Sequence, residues 1–288
     1  MKKILLLAVA CITLTACNST SNKETVYDFT HADFARIDGS TVVIPLAESW
    51  AETLLDIENG ADVIKFNMTP DAIKNLTDGV KDIIFTTYPS EEEIATARSK
   101  GIEFEIVPVV NDAFVFLVND SNKVNGLSQK QIRDIYSSQI TNWSEVGGEN
   151  LDIMPYQRAV GSGSQSGMIR FMGDTPLQQE PTEKYIPLMG EVVETIIEPD
   201  FGKASLGYSY YYFVNAMYIR EGIKLLEVDG VAPSNATIKD GTYPITTQYY
   251  AIIRNDTPAN SFARKFLKFA LSKQGQQLAE QAGYVALD

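Results

Sequence analysis

Hydrophobic and polar residues follow two different periods along this chain. Short apolar runs typical of strands, such as residues 82–85 and 104–110, are separated by stretches with apolar residues at helical spacing, such as residues 45–58 and 70–79. Strands that alternate with helices predict an α/β fold in which mainly parallel sheets are flanked by helices. The same criteria predict further strands at residues 34–37, 62–66, 113–118, 152–156 and 245–253, and further helices at residues 90–100, 128–136, 164–172, 258–271 and 273–281.

The length of the chain allows one large domain or two lobes. Its 288 residues, 44% of them hydrophobic, can bury a sizeable core, and they show no internal repeat. A second group of α/β elements follows residue 113, and the last strand and helices can return to the first group. The expected organisation is therefore a first lobe of residues 31–112 plus 246–288 and a second lobe of residues 113–245.

The N-terminus has the pattern of an export signal. Two lysines precede the apolar run of residues 4–14, which is too short to span a bilayer comfortably. The run leads into Leu-Thr-Ala-Cys at residues 14–17, which resembles the bacterial lipobox. That resemblance implies a lipoprotein signal peptide over residues 1–16, lipid attachment to Cys17, and a polar tether over residues 17–30. The folded body is then expected in the periplasm or on the outer surface, anchored to the bacterial cell membrane by lipid.

Cysteine usage and charge exclude several classes of function. If the lipobox resemblance holds, Cys11 leaves with the signal and Cys17 carries lipid, so no thiol is expected to remain for a disulfide, a thiolate metal site or catalysis. Removing residues 1–16, which hold Lys2 and Lys3 and no acidic residue, changes the formal charge from −13 to −15. A chain this acidic is not expected to bind nucleic acid.

The stretch of residues 157–167 has the chemistry of an anion site. It sets Arg158, a planar two-pronged donor, beside the Gly/Ser loop 161–164, which leads into a predicted helix. Glycines let the backbone approach a ligand closely, and the hydroxyl and N–H groups at a helix start point at it. A flexible surface loop is the alternative, because the stretch lacks the Gly-Lys-Ser/Thr ending of a nucleotide P-loop.

Small hydroxyl residues recur at other junctions between a strand and a helix. Ser40 and Thr41 precede the helix at residue 45, Thr69 precedes the one at residue 70, and Thr86 and Thr87 follow the strand at residue 82. Each alone is explained by a helix cap or a turn. Because ligands of open α/β sheets bind beyond the carboxyl ends of the strands, the recurrence favours a shared binding edge.

Three blocks of the chain resemble the phosphate-binding lipoproteins of bacterial ABC importers, which are two-lobed solute-binding proteins. The blocks are residues 39–50, which begin Gly-Ser-Thr, residues 140–148, which contain Thr-Asn-Trp, and Arg158 with the loop 161–164; the segment 266–285 also matches. The resemblance implies two lobes joined by two hinge crossovers, with an oxyanion held by neutral donors and one arginine. It implies inorganic phosphate as the ligand, an ABC permease as the partner, a monomer, and neither cofactor, metal nor catalysis.

Carried over position by position, the resemblance implies ligand donors on both lobes. Arg158 is expected to make a bidentate contact from the second lobe, whereas Trp143 is expected to pack the fold rather than touch ligand. The ligand-binding residues that the resemblance implies are Ser40, Thr41, Thr69, Thr86, Thr87, Arg158, Gly161, Ser162, Gly163 and Ser164.

Two positions depart from the family pattern. Phosphate binders of this family often have a carboxylate after the strand at residue 82, where this chain has Thr86 and Thr87, and another near the arginine, where it has Val160. A carboxylate accepts the proton of monohydrogen phosphate and repels fully ionised anions such as sulfate. Since threonine can donate or accept, phosphate remains the expected ligand, with another oxyanion or a phosphorylated small molecule as the alternative.

Two other classes of function remain as alternatives. A hydrolase needs a nucleophile with a base or a metal, but the only histidine, His31, is expected at the surface, and residues 91–93 form the solvated acidic first turn of a predicted helix. The sequence contains no recognisable metal signature. A sensor or surface lipoprotein is the second alternative, because the aromatic run of residues 208–213 either packs the core or faces a cleft or partner.

Overall fold

The computed structural model describes residues 27–179 and 185–287. The predicted signal peptide of residues 1–16 and the first ten residues of the predicted tether, which include the predicted acylation site Cys17, lie outside the described residues. Within the described ranges, no helix is both long enough and apolar enough to cross a membrane.

Most helices begin at a serine or threonine that caps the first turn. Ser90 and Ser128, for example, each accept a hydrogen bond from the backbone N–H three residues later, at 3.2 and 3.1 Å. Such a bond satisfies an N–H group that has no partner within the helix. The described helices are α1 (His31–Phe34), α2 (Ile44–Leu55), α3 (Met68–Thr77), α4 (Glu91–Ser99), α5 (Gln129–Tyr136), α6 (Gly163–Met172), α7 (Met189–Ile197), α8 (Asn235–Lys239), α9 (Phe262–Ala270) and α10 (Lys273–Gln281).

Two long strands dominate the sheet, and the other strands are short. In the longest one, residues 112–118 are all buried, as expected for a strand that is covered on both faces. The described strands are β1 (Ile37–Gly39), β2 (Ile83–Thr86), β3 (Phe104–Asn119), β4 (Gly126–Leu127), β5 (Met154–Pro155), β6 (Gln157–Arg158), β7 (Tyr185–Ile186), β8 (Ser205–Tyr210), β9 (Ile223–Leu225), β10 (Glu227–Val228), β11 (Thr246–Arg254) and β12 (Val285–Ala286).

The longest strand joins two halves of one sheet. β3 pairs with β11 over residues 104–113 and then with β8 over residues 114–118. We define the first half as β1, β2, β11 and β12 with the beginning of β3, and the second half as β5, β8 and β9 with the end of β3. The two strands predicted on either side of residue 111 are therefore a single strand, because the ladder with β11 continues through Asn111 and Asp112 without a turn.

The sheet is mixed in direction. β1 and β2 are parallel, as are β5 and β8, whereas β3 and β11 run antiparallel to every strand that they pair with. Every antiparallel pair between these strands includes β3 or β11. The chain passes from the first half to the second along β3, and it returns to the first half just before β11. The predicted α/β class with flanking helices is confirmed, and the central antiparallel strands are a feature that the alternation of strands and helices did not reveal.

An aromatic cluster packs the C-terminal helices against the first half. The indole of Trp50 lies with its ring centroid 5.2 Å from that of Phe85, 5.7 Å from that of Phe266 and 6.4 Å from that of Phe269. The four side chains are fully buried, and the indole N–H donates to the carbonyl oxygen of Gly275 at 3.0 Å. Edge-to-face rings of this kind stabilise the core beyond the area they bury.

The tether is shorter than predicted. Phe29 is only 8% exposed, and its ring centroid lies 5.4 Å from that of Phe262 and 5.6 Å from that of Phe266. Tyr27 packs in the same way against Phe269, at 5.2 Å. The expectation that the tether runs to residue 30 is therefore wrong, because Phe29 is buried in the core of the folded body and the half-buried Tyr27 packs against it.

Two predicted strands also differ in the structure. Residues 62–66 form no strand, because the side chain of Asn59 caps a 3-10 turn over Gly60–Asp62 and directs the chain into an irregular segment. The strand predicted at residues 34–37 begins only at Ile37, since helix α1 occupies the residues before it. Apolar content alone did not distinguish these short elements from one another.

Several predictions about individual residues are confirmed. Trp143 is buried and donates its indole N–H to the carbonyl oxygen of Ala204 at 3.0 Å, so it packs the fold. His31 is exposed, and residues 91–93 form the first turn of α4. The aromatic run of residues 208–213 is buried throughout, which confirms its role in the core.

Candidate anion-binding site

A cavity of about 540 Å³ lies between elements of the two halves. Two of the predicted ligand-binding residues do not line it. Thr86 is fully buried and donates its hydroxyl to that of Thr69 at 3.3 Å, and Gly161 is exposed in the loop before α6. The other predicted residues line the cavity, namely Ser40, Thr41, Thr69, Thr87, Arg158, Ser162, Gly163 and Ser164.

The backbone of Arg158 is fixed by a short strand pair and a polar cluster. β6 pairs in parallel with β7, so that Arg158 lies opposite Ile186. Its backbone N–H is shared between the hydroxyl of Tyr208, at 2.8 Å, and the side-chain oxygen of Gln165, at 3.1 Å. Tyr208 in turn donates to Gln165. These contacts hold the arginine in place independently of any ligand.

The guanidinium of Arg158 is buried, and two of its nitrogen atoms have no hydrogen-bond partner among the described residues. Arg158 is 5% exposed, and it is the only lysine or arginine among the buried residues of the described chain. One amino group donates to the carbonyl oxygen of Pro187 at 3.0 Å, while Nε and Nη1 have no hydrogen-bond partner among the described residues. Burial lowers the pKa of Arg158 to about 10, so it stays protonated at neutral pH. A buried cation with free donors is costly unless an anion accepts from it.

The first turn of α6 lies against the same cavity. Ser162 caps this turn by accepting a hydrogen bond from the N–H of Gln165 at 3.2 Å. The N–H groups of Gly163 and Ser164 have no partner within the helix, because no turn precedes them. The helix dipole adds a partial positive charge there. Backbone donors and the guanidinium therefore meet on one wall, formed by β6 and α6, and α6 lies next to β8 in the second half of the sheet.

The opposite wall comes from the first half and uses neutral donors. Ser40 is 4% exposed, and its backbone N–H donates to the carbonyl oxygen of Phe85 at 2.9 Å. Its hydroxyl has no hydrogen-bond partner among the described residues. Thr41 opens a 3-10 turn that continues into α2, so its N–H group also lies at the open end of a helical segment.

A buried carboxylate fixes the loop that leads into α3 and Thr69. Asp38 accepts from the backbone N–H groups of Gly39 and Asn67, both at 2.8 Å. It also accepts from the side-chain amides of Asn67 at 2.8 Å and Asn75 at 2.9 Å. Asp38 thereby holds the loop before α2 and the loop before α3 together, which fixes the relative positions of the donors on this wall.

The two walls meet at Gly163. A Cβ atom at this position would lie 2.9 Å from Oγ1 of Thr87 and 3.3 Å from Oγ1 of Thr69, so only glycine fits without moving them. The side chain of Thr87 interacts by a hydrogen bond with that of Tyr210, and the tyrosine hydroxyl also donates to the carbonyl oxygen of Gly163 at 3.0 Å.

Two carboxylates on α7 reach the cavity, and neither was predicted from the sequence. Glu191 lines the cavity and caps α7 by accepting from the N–H of Leu188 at 3.1 Å. Burial lowers the pKa of Arg158, and the negative charge of Glu191 acts in the opposite direction and raises it. Glu194 also lines the cavity, but it is paired with Arg220 at 3.1 Å. No motif marks these residues, because they lie more than thirty positions from Arg158 on another element.

Apolar and aromatic side chains complete the lining, and the sequence signal for them was weak. Tyr210 and Phe213 show that the aromatic run borders the cavity as well as packing the core. Val160 is 84% exposed at the cavity, where the family pattern has a carboxylate. Met68 is 54% exposed, and its φ of 65° lies in the left-handed region that a bulky residue rarely adopts.

The chemistry of the lining is that of binding through charge and hydrogen bonds. Its residues include no histidine and no cysteine. Within the described ranges, no cluster of three or more histidine, cysteine, aspartate or glutamate residues is placed to hold a metal ion. The donors that remain are hydroxyls, backbone N–H groups and one arginine, and together they suit an oxyanion.

The fold and the cavity between its halves define the class as a two-lobed α/β binding protein. The chain belongs to the PBP superfamily, since the model of the PBP superfamily domain matches residues 18–274. An ABC-type phosphate transport receptor from Vibrio cholerae has a similar structure, with a TM-score of 0.65 at 21% identity over 87% of this chain and 99% of the receptor. PstS from Borrelia burgdorferi is also similar, with a TM-score of 0.54 at 20% identity over 88% and 98% of the two chains. The predicted two-lobed fold is confirmed.

Curated relatives are similar along most of the chain. The phosphate-binding protein PstS of Borreliella burgdorferi is 24% identical over 303 aligned positions, which cover all of this chain and 99% of that protein. Protein SphX of Synechococcus elongatus is 25% identical over 87% of this chain and 76% of its own length. The phosphate-binding protein PstS of Bacillus subtilis is 22% identical over 86% and 79% of the two chains.

Proposed function

We propose that this protein is an extracytoplasmic lipoprotein that binds inorganic phosphate between its two lobes and delivers it to an ABC importer. The observation that carries the proposal is the buried guanidinium of Arg158, whose Nε and Nη1 have no partner among the described residues, on the wall opposite the unpartnered hydroxyl of Ser40. A tetrahedral oxyanion neutralises that cation and accepts from several donors at once. The names of two of the relatives, both phosphate-binding protein PstS, support phosphate as the oxyanion.

The proposed lobes have the bounds expected from the sequence, except that residues 27–30 are added to the first lobe because Tyr27 and Phe29 pack against its core. The first lobe is then residues 27–112 plus 246–288, and the second lobe is residues 113–245. The change of partner along β3, from β11 to β8, supports a crossover next to Ala113. A ligand that bonds to both walls favours the closed arrangement of such lobes, because the full set of contacts exists only there.

Glu191 is proposed to supply the proton acceptor that the family pattern has elsewhere. The carboxylate lines the cavity and is held on the segment after β7, which pairs with the strand of Arg158. Monohydrogen phosphate can donate its proton to a carboxylate, whereas sulfate has none to donate and is repelled. Selectivity for phosphate can therefore persist although Thr87 and Val160 occupy the expected positions.

The remaining parts of the proposal concern cellular context. We expect a monomeric binding protein rather than an enzyme, with an ABC permease as its partner and a lipid anchor on Cys17. Expression with a radiolabelled fatty acid tests the anchor: the wild type is labelled and associates with membranes, and Cys17→Ala is neither. Labelling of Cys17→Ala contradicts acylation at this residue.

Calorimetric titration of the purified protein with phosphate, sulfate, molybdate and a sugar phosphate tests the function. The proposal predicts saturable binding of one phosphate per chain and weaker binding of the other three. Absence of phosphate binding overturns the proposal. Sulfate binding as tight as that of phosphate removes Glu191 as the discriminating group while leaving an oxyanion site.

A further inference from the structure

Asp112 is a buried carboxylate that the anion site does not use. It is 1% exposed and lies in β3, one residue before the pairing of that strand moves from β11 to β8. The residue therefore lies at the proposed crossover between the lobes. It lines no part of the cavity described above.

Its hydrogen bonds join three segments of the chain. One carboxylate oxygen accepts from the backbone N–H of Ala113 at 2.8 Å and from that of Tyr212 at 3.0 Å. The other oxygen accepts from the hydroxyl of Tyr249. Ala113 continues β3, Tyr212 follows β8 in the second lobe, and Tyr249 lies in β11, which begins directly after the second proposed crossover.

The surrounding contacts tie the same segments to the cavity. The rings of Tyr212 and Tyr284 stack at 3.6 Å, and the hydroxyl of Tyr284 donates to the carbonyl oxygen of Val42 at 2.7 Å. Val42 itself lines the cavity. Tyr210, which lies 5.7 Å from Tyr249 by ring centroids, also lines the cavity. A change at Asp112 can therefore shift the residues that line the cavity through the tyrosines that it contacts.

We propose that Asp112 is a positioning residue of the hinge, whose charged carboxylate ties the three segments together and stabilises the closed arrangement of the lobes around the oxyanion. The inference rests on the proposed function for the identity of the ligand. Hydrogen bonds to a charged acceptor are stronger than those to a neutral one. Loss of the charge therefore loosens the hinge without removing a donor from the site.

The charge of Asp112 changes within the physiological range of pH. Burial raises the pKa of Asp112 to about 7, against the opposing effect of its three hydrogen bonds. The titratable groups that face it are tyrosines whose own pKa values are raised and which stay neutral, namely Tyr210, Tyr211, Tyr212, Tyr249 and Tyr284.

Two formal charges act on those tyrosines. Besides burial, which raises both pKa values, Arg170 lowers the pKa of Tyr210 and Glu48 raises that of Tyr212. Asp112 is ionised above about pH 7 and protonated below it. In this proposal Asp112 stays buried when the lobes open, so burial opposes its ionisation equally in both arrangements. The closed arrangement alone keeps all three hydrogen bonds, which are stronger to the ionised carboxylate, and the hinge is therefore expected to be tighter on the alkaline side.

The test compares the wild type with Asp112→Asn, which keeps the shape of the protonated acid. The dissociation constant for inorganic phosphate is measured for both proteins from pH 5.5 to 8.5. The ratio of variant to wild type is expected to be about one at pH 5.5 and about five at pH 8.5, as a charge-assisted hydrogen bond becomes a neutral one. The ratio cancels the titration of phosphate itself, and a ratio that stays constant with pH overturns the proposal.

A second measurement needs no ligand. Amide hydrogen exchange of a peptide covering residues 208–216 reports on the N–H of Tyr212. At pH 8.5 this peptide is expected to exchange faster in Asp112→Asn than in the wild type, and at pH 5.5 the two are expected to agree. Equal exchange at both pH values overturns the hinge proposal. If the wild type binds no phosphate, the proposed function fails, and the exchange result alone decides the role of Asp112.

Tyr249→Phe provides a matched control that preserves packing. It removes one donor to the charged carboxylate, so the pKa of Asp112 rises further. The pH at which the exchange of residues 208–216 changes is expected to move upward, which a purely structural role for Asp112 does not predict. This variant also carries the test if Asp112→Asn does not fold, and an unmoved midpoint then overturns the proposal.

Discussion

The two walls of the cavity carry different kinds of hydrogen-bond donor. The wall from the second half carries the buried cation Arg158 beside the open start of α6, whereas the wall from the first half carries hydroxyls, of which that of Ser40 is unpartnered. Charge attracts an anion from a distance, while neutral donors act only at hydrogen-bond contact. On the proposed function, we expect the second wall to supply most of the affinity for the anion and the first wall to favour closure of the lobes.

Removing the cation is the most direct way to break this comparison. Arg158→Ala is expected to weaken phosphate binding by about a hundredfold or more, because two charge-assisted hydrogen bonds worth about 1.5–3 kcal/mol each are lost. Calorimetric titration measures the effect, and thermal unfolding without ligand checks that the variant is folded. Arg158→Lys is the matched control, since it keeps a charge but loses the fork, and it should bind with intermediate affinity. Wild-type affinity in Arg158→Ala contradicts the assignment.

Forcing the walls apart tests whether they act together. Gly163→Ala places a methyl group 2.9 Å from the hydroxyl oxygen of Thr87, so the walls must separate by a few tenths of an ångström. Overpacking of this kind costs about 1–3 kcal/mol, and phosphate binding is expected to weaken about tenfold. Ser166→Ala, on the same helix but outside the lining, should bind like the wild type. Equal phosphate affinities of Gly163→Ala and Ser166→Ala would contradict the close approach of the two walls at Gly163.

Deleting one neutral donor sharpens the comparison from the other side. Ser40→Ala removes an unpartnered hydroxyl from the first wall, and phosphate affinity is expected to fall about fivefold, as for a neutral hydrogen bond of about 1 kcal/mol. Thr86→Val is the control, because that hydroxyl is buried but does not line the cavity. If Thr86→Val weakens binding as much as Ser40→Ala does, the first wall acts through its fold rather than through its donors.

The smallest expected effect concerns selectivity rather than affinity. In Glu191→Gln, the ratio of sulfate affinity to phosphate affinity is expected to rise about threefold, because the carboxylate that accepts the phosphate proton and repels sulfate is lost. Glu194→Gln should leave the ratio unchanged, since that carboxylate is already paired with Arg220. Competition titrations measure both ratios, and an equal change in the two variants contradicts a specific role for Glu191.

Local features of the site were predictable from the sequence, and contacts between distant elements were not. The Gly/Ser loop beside Arg158 predicted the capped start of α6. The signal is local, because the glycines, the serines and the apolar period after them lie within fifteen residues. Glu191 gave no signal, since it reaches the cavity only through the pairing of β6 with β7. The bonds of Asp112 likewise join residues that lie 100 and 137 positions apart.

The same distinction explains which elements of the fold were missed. Long helices with a clear apolar period, such as α2 and α10, were predicted nearly to their ends. The segment of residues 62–66 has the composition of a strand, but no neighbouring strand pairs with it. Phe29 lies in a polar N-terminal stretch, and its place in the aromatic cluster depends on helix α9, more than two hundred residues away.

The crystal structure of the purified protein with inorganic phosphate is the most direct test of the clamp formed by the two walls. The account predicts one phosphate in the cavity, with its oxygens within hydrogen-bond distance of Nε and Nη1 of Arg158, the first N–H groups of α6, and the hydroxyl of Ser40. A phosphate bound elsewhere, or bound to the second wall alone with the hydroxyl of Ser40 still unpartnered, contradicts it.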